Sequence, residues 1–253
     1  MTPGYPDLAG RVAVVTGGSG SIGAATCRLF AANRMRVVAV GRDEKALEEV
    51  REQVWNTGGR STCVVADCTG PAALAALVEQ VEAEFGGTDV LAAFAGGAGA
   101  PTASTELTPE RWHEVIDSDL TSAFLTMRAF LPGMRVRGRG SVITMSSAAG
   151  RQPSQANLAY AVAKAGVVML TRHLAAEYAG TGVRVNCLAP SAVHNGKMDR
   201  AMTPERIEAL GRSFPLGRIG EPDDVAAAAG YLASDASSWV TGVTLDIAGG
   251  KVL

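Results

Sequence analysis

The sequence is poor in the residues that build stapled or metal-held folds. Four cysteines in 253 residues, Cys27, Cys63, Cys68 and Cys187, are too few for a disulfide scaffold. The closest pair, Cys63 and Cys68, has no second pair or histidine beside it. The three histidines, His113, His173 and His194, are scattered, with no two at ligand spacing. No metal site is expected, and the thiols read as buried and reduced, as in a cytoplasm. Net charge is small: 23 basic against 25 acidic side chains leave −2, which gives no basic footprint for nucleic-acid phosphates. Long apolar runs are missing too. Val90–Ala95 and Val225–Ala233 fall far short of the roughly 20 residues that span a bilayer. Met1–Gly10 has neither the basic start nor the apolar run of a signal peptide. Neither a membrane nor a nucleic-acid partner is expected.

What the chain does have is alternation. Short β-branched runs recur at Arg11–Thr16, Arg36–Val40, Thr62–Ala66, Val90–Ala95, Ser141–Met145, Val183–Leu188 and Val243–Ile247. Stretches with helical spacing lie between them: Ser21–Asn33, Glu44–Thr57, Pro71–Phe85, Pro109–Met134, Leu158–Ala179 and Pro222–Ser234. Near-continuous apolar strands separated by helices predict a parallel sheet covered on both faces. Thr108-Pro109 and Glu221-Pro222-Asp223-Asp224 are helix starts by their cap and proline. No linker or repeat breaks the order, so 1–253 reads as a single α/β domain, a doubly wound, Rossmann-like sheet of seven parallel strands. Such sheets bind ligands at the carboxyl ends of their strands.

The unusual residues lie there. Thr16-Gly17-Gly18-Ser19-Gly20-Ser21-Ile22-Gly23 joins the first strand to a helix, and its glycines let backbone N–H groups approach a pyrophosphate. After the second strand, Val40-Gly41-Arg42-Asp43 sets a guanidinium where an NAD-selective fold usually ends in an acid. NADP(H) is therefore favoured, while Asp43 keeps NAD(H) open. Tyr160 and Lys164, four residues apart, share one helix face. An ordinary phenol titrates near ~10, so proton exchange near neutrality asks for roughly 4 kcal/mol of extra phenolate stabilisation. A neighbouring ammonium has the right sign to supply it. Ser147, thirteen residues earlier at the end of the fifth strand, offers a hydroxyl to a carbonyl oxygen.

Taken together, this order of motifs resembles the short-chain dehydrogenase/reductase family over nearly the whole chain. Thr16–Gly23 matches the family's cofactor turn, Asp67-Cys68 its adenine-binding step, Ser147, Tyr160 and Lys164 its catalytic set, and Asn186–Pro190 its strand-six exit. Pro215–Val225 and Thr241–Gly250 resemble the 3-oxoacyl-carrier-protein reductase-like branch. The resemblance implies hydride transfer between a nicotinamide and a carbonyl or secondary alcohol, most of all reduction of a ketone or 3-oxoacyl substrate, acyl thioesters included. It implies that Tyr160 exchanges the oxygen's proton, Ser147 polarises that oxygen and Lys164 holds the nicotinamide ribose. It places Gly17, Ser19, Ser21, Ile22, Gly23, Arg42, Ala95 and Gly96 along the cofactor, with the Val193 backbone and the Asn195 side chain beside the carboxamide. It also implies a cytoplasmic homotetramer, paired through the fourth and fifth helices.

The sequence departs from the family pattern at several positions. A turn glycine is Ser21. The strand-four Asn-Asn-Ala-Gly reads Ala93-Phe94-Ala95-Gly96, so two polar tethers are absent and apolar packing is expected instead. Ser191 follows Pro190 in place of glycine, and Asn195 stands where threonine is expected. The family's helix-four asparagine is Asp119, whose carboxylate can still accept a hydrogen bond but carries negative charge towards Lys164. Trp112 and Phe124 read as core or subunit contacts. Arg135–Arg139 reads as a solvated helix end. Met198–Arg212, within a lid at about 191–214, is expected as a mobile helix over a partly apolar substrate. Two alternatives stay open: an NAD-dependent secondary-alcohol dehydrogenase, and a cofactor-binding protein without catalysis.

Overall fold

The computed structural model describes residues 4–97 and 99–251; part of Met1–Gly10 and one residue of the loop after strand four lie outside them. Seven parallel strands form one sheet: β1 (Val12–Thr16), β2 (Arg36–Gly41), β3 (Ser61–Val65), β4 (Val90–Ala93), β5 (Gly140–Met145), β6 (Val183–Pro190) and β7 (Thr244–Ile247), in the order β3-β2-β1-β4-β5-β6-β7. The helices are α1 (Ser21–Ala32), α2 (Glu44–Asn56), α3 (Pro71–Phe85), α4 (Pro109–Ile116), α5 (Ser122–Arg137), α6 (Leu158–Glu177), α7 (Gly196–Ala201), α8 (Pro204–Arg212) and α9 (Pro222–Ala233).

β1 explains why both faces are covered. Ala13 and Val15 enter the layer shared with Phe30 of α1 and Leu232 of α9. Val12 and Val14 enter the opposite layer, with Leu77 of α3, Met127 of α5 and Val167 of α6. Alternate side chains thus point to opposite faces, and a fully buried valine contributes about 1.5–3 kcal/mol. The chain winds outward from β1 through β2 and β3, then returns to β4 on the other side of β1. This reversal opens a crevice at the carboxyl ends of β1 and β4.

The expected strands and helices are present, and three differ in ways that matter. The long helix expected over Pro109–Met134 is interrupted by a wider π turn at Asp117–Thr121. Short polar residues in and beside it compete for backbone partners: the Ser122 hydroxyl donates to Ser118 O. Phe124 then faces solvent, so it is not a core residue. β4 stops at Ala93 because the Phe94 and Ala95 N–H groups turn to Thr16 Oγ1, at 3.1 and 3.3 Å. The segment expected as a lid is two helices rather than one. Met202 and Thr203 are extended before Pro204, whose ring disfavours helical backbone in the residue ahead of it.

Candidate active site

The glycine turn after β1 is built by close approach. Gly17 has φ +65°, and a Cβ there would lie 2.7 Å from Phe94 O. A Cβ on Gly23 would lie 2.2 Å from Gly17 O, so the first turn of α1 presses directly on the loop. Gly20 caps α1 without a side-chain bond, which leaves N–H groups of the first turn facing outward beside the exposed Ser21. Ile22 turns the other way and packs against the core. Ser19 lies against the end of β2, where a Cβ on Gly41 would meet its hydroxyl at 2.9 Å. Arg42 beyond it is exposed. Asp43 caps α2, its carboxylate accepting the Ala46 N–H at 3.1 Å.

Asp67 and Cys68 follow β3. The Thr69 N–H and hydroxyl both donate to Asp67, at 2.9 and 2.8 Å, and hold its carboxyl below the usual carboxylate range. Cys68 is buried, and burial pushes its thiol up. Where polar tethers were absent from strand four, Ala93 and Phe94 are buried and Phe94 joins the α1 layer. Thr16 Oγ1 supplies the missing polar link.

Ser147, Tyr160 and Lys164 are brought together by the seam between the end of β5 and α6. Lys164 is buried, and its ammonium donates to Met145 O at 3.0 Å. Its backbone carbonyl accepts from the Ser146 hydroxyl at 2.8 Å. A Cβ on Gly150 would lie 2.5 Å from the Lys164 carbonyl carbon, so the 3-10 turn Ala148–Gly150 rests on α6. Ser147 begins that turn, accepting the Ala149 N–H at 3.2 Å. The Lys164 ammonium is 5.4 Å from the centre of the Tyr160 ring. The loop after β4 closes on the ring: a Cβ on Gly99 would meet Tyr160 Cδ1 at 3.0 Å.

Asp119, on the π turn, joins the same cluster. Its Oδ1 is 3.0 Å from Lys164 Nζ and accepts the Gly97 N–H at 2.6 Å, and its Oδ2 accepts the Ser118 hydroxyl at 2.7 Å. Burial would push the carboxyl up, but the Lys164 ammonium and these donors bring it below the usual range.

The family profile described as Enoyl-(Acyl carrier protein) reductase matches residues 17–251. The chain is 40% identical to 3beta-hydroxysteroid dehydrogenase 1 of Eggerthella lenta, over 98% of this chain and 96% of that one. It is 32% identical to the 3-oxoacyl-[acyl-carrier-protein] reductase FabG of Vibrio cholerae, over 98% and 99%. The solved structure of levodione reductase overlays with a TM-score of 0.91 at 30% identity, covering 95% of this chain and 97% of that one. The chain belongs to the short-chain dehydrogenase/reductase family. It is an oxidoreductase acting on alcohols or ketones.

Two positions fit the family expectation less simply. Val193 is buried and bridges to Gly220. The Asn195 amide is engaged at both ends, accepting the Lys197 and Met198 N–H groups to cap α7 and donating to Val193 O at 2.8 Å. One residue of this site escaped the sequence reading. Asn157 is buried, accepts the Tyr160 N–H at 2.9 Å and donates to Ala100 O at 2.9 Å, joining the start of α6 to the loop after β4. An asparagine directly before a helix is a cap signal, and Asn157-Leu158 shows it. No helix among the described residues is long and apolar enough to cross a membrane.

Proposed function

We propose that the protein reduces a ketone with NADPH, Tyr160 giving the proton to the carbonyl oxygen. The observation that carries this is the buried Lys164 ammonium, anchored on Met145 O, 5.4 Å from the Tyr160 ring. A buried cation there holds the acid–base side of the pocket in place while the phenol exchanges its proton. The Ser147 hydroxyl donates to the same oxygen and resists the build-up of charge on it. Lys164 in addition holds the nicotinamide ribose.

The glycine turn fits a dinucleotide, since a Cβ at Gly17 or Gly23 would close the space its backbone leaves. Gly17, Ser19, Ser21, Ile22 and Gly23 would hold the pyrophosphate, Asp67 and Cys68 the adenine, and Ala95 and Gly96 the adjoining ribose. The Val193 backbone and Asn195 would flank the carboxamide. When bound, the nicotinamide supplies or accepts the hydride. NADP is favoured because Arg42 is exposed next to Gly41 and, among the described residues, has no carboxylate within 4.0 Å, which leaves its guanidinium open to a phosphate.

The substrate reading is a ketone with an apolar body. Met198, Met202, Ile207 and Leu210 of the lid helices are half-buried, and similar proteins are named for a hydroxysteroid and for levodione. Phe214, by contrast, is a buried anchor under Lys251, not a substrate contact. A cytoplasmic homotetramer is part of the proposal: Phe124 on α5 and Leu158, Val162 and Met169 on α6 leave apolar surface for a second copy.

The test follows NADPH and NADH absorbance with cyclic ketones, diketones and 3-oxoacyl thioesters. Turnover with NADPH that falls about 10²–10⁴-fold in Tyr160→Phe is expected. Full activity in that variant, or coenzyme binding without turnover across the panel, would defeat the reading.

A further inference from the structure

We propose that Asp119 sets the pH range of the reaction: by neutralising the Lys164 ammonium it keeps Tyr160 bearing its proton, extending carbonyl reduction into alkaline solution and delaying alcohol oxidation. This rests on the proton-transfer role of Tyr160 given above.

The geometry is a buried ion pair where an amide would bring no charge. Asp119 Oδ1 and Lys164 Nζ are 3.0 Å apart, with side-chain exposures of 0% and 3%. A lone ammonium 5.4 Å from the Tyr160 ring would act on the phenol as a full positive charge. Paired with a carboxylate it acts as a dipole, whose field falls more steeply with distance, and low-dielectric surroundings make the difference large. The carboxylate and Met145 O both engage the ammonium, which fixes its place beside the ring.

Among the described residues, the groups printed against this pair are neutral: the Ser118 hydroxyl and the Gly97 N–H on the carboxylate, Gly96 beside it, the Met145 carbonyl on the ammonium, and the Cys187 thiol of β6 near Lys164. The Cys187 thiol is pushed up by burial and stays uncharged. Asp119 is thus a positioning residue that acts through Lys164.

The experiment compares wild type with Asp119→Asn, which keeps an oxygen for the Gly97 N–H. For one ketone and its alcohol, kcat/KM is measured against pH at saturating coenzyme. In the variant both profiles should move about one pH unit to the acid side, and reduction beyond the wild-type plateau should fall roughly threefold to tenfold. A second readout needs no coenzyme: ultraviolet titration of phenolate, with Tyr160→Phe as the blank, should show the same displacement. Should Asp119→Asn fail to fold, Asp119→Ser takes its place in both readouts. An active variant with unmoved profiles, or wild-type phenolate at neutrality, overturns the proposal. Unimpaired turnover in Tyr160→Phe would instead overturn the functional reading beneath it.

Discussion

A side-chain carbon built on Gly96 would lie 2.5 Å from Asp119 Oδ1. The glycine therefore makes the space that the carboxylate occupies, and its φ of +129° is one that other residues rarely adopt. Gly96→Ala meets both obstacles. A cost of about 1–3 kcal/mol is expected from the backbone alone, with further loss as Asp119 is pushed from Lys164. Chemical denaturation should show the midpoint falling, and the activity lost should exceed what the fraction unfolded explains.

The ion pair itself has a predictable acid limit. The Asp119 carboxyl is held below the usual carboxylate range, so its contribution to stability is complete above the ordinary value of about 3.9 and is lost as pH falls through the lowered one. Thermal melts from neutrality into the acid should show wild type losing stability there, with a shallower loss in Asp119→Asn. Removing the partner outright is harsher. Asp119→Ala leaves a buried ammonium uncompensated, and a loss of about 3–5 kcal/mol is expected.

The architecture was legible because its signals are local. Apolar runs such as Val12–Val15 and punctuation such as Thr108-Pro109 announce a parallel sheet with helices over both faces. The Thr108 side chain does accept the Arg111 N–H, and Glu221 with Asp224 forms a capping box. What stayed hidden depends on partners distant in the chain. The π turn at Asp117–Thr121 follows no hydrophobic period, because an extra backbone residue leaves the apolar spacing nearly intact. That Thr16 replaces the missing strand-four tethers is invisible until residues 78 and 79 positions apart meet. The break between α7 and α8 was readable from Pro204, which the expectation of one helix passed over.

Asn157 offers a test of how much the site depends on its supports. It accepts the Tyr160 N–H and donates to Ala100 O from a buried position. Asn157→Ala removes a helix cap, about 1 kcal/mol, and leaves Ala100 O short of a donor, about 1–3 kcal/mol more. Turnover should fall with the ring's orientation while coenzyme affinity, which the proposal assigns mainly to the glycine turn, changes little. Equal losses in kcat and in coenzyme binding would instead point to general loosening of the fold.

Coenzyme choice can be tested at one side chain. Arg42 is exposed and unpaired with any carboxylate among the described residues, so changing it should not alter the melting temperature by more than a degree or so. Asp43 already has a structural task, since it caps α2 through the Ala46 N–H, whereas the Arg42 side chain is exposed. A guanidinium there makes charge-assisted hydrogen bonds to a phosphate worth about 1.5–3 kcal/mol, or roughly 10- to 100-fold in affinity. Arg42→Asp removes these and places a like charge against the 2′-phosphate, while an acid suits free ribose hydroxyls. kcat/KM with NADPH should fall by at least that factor and that with NADH should hold or rise. Unchanged preference would assign Arg42 to the solvated surface and reopen NAD as the coenzyme.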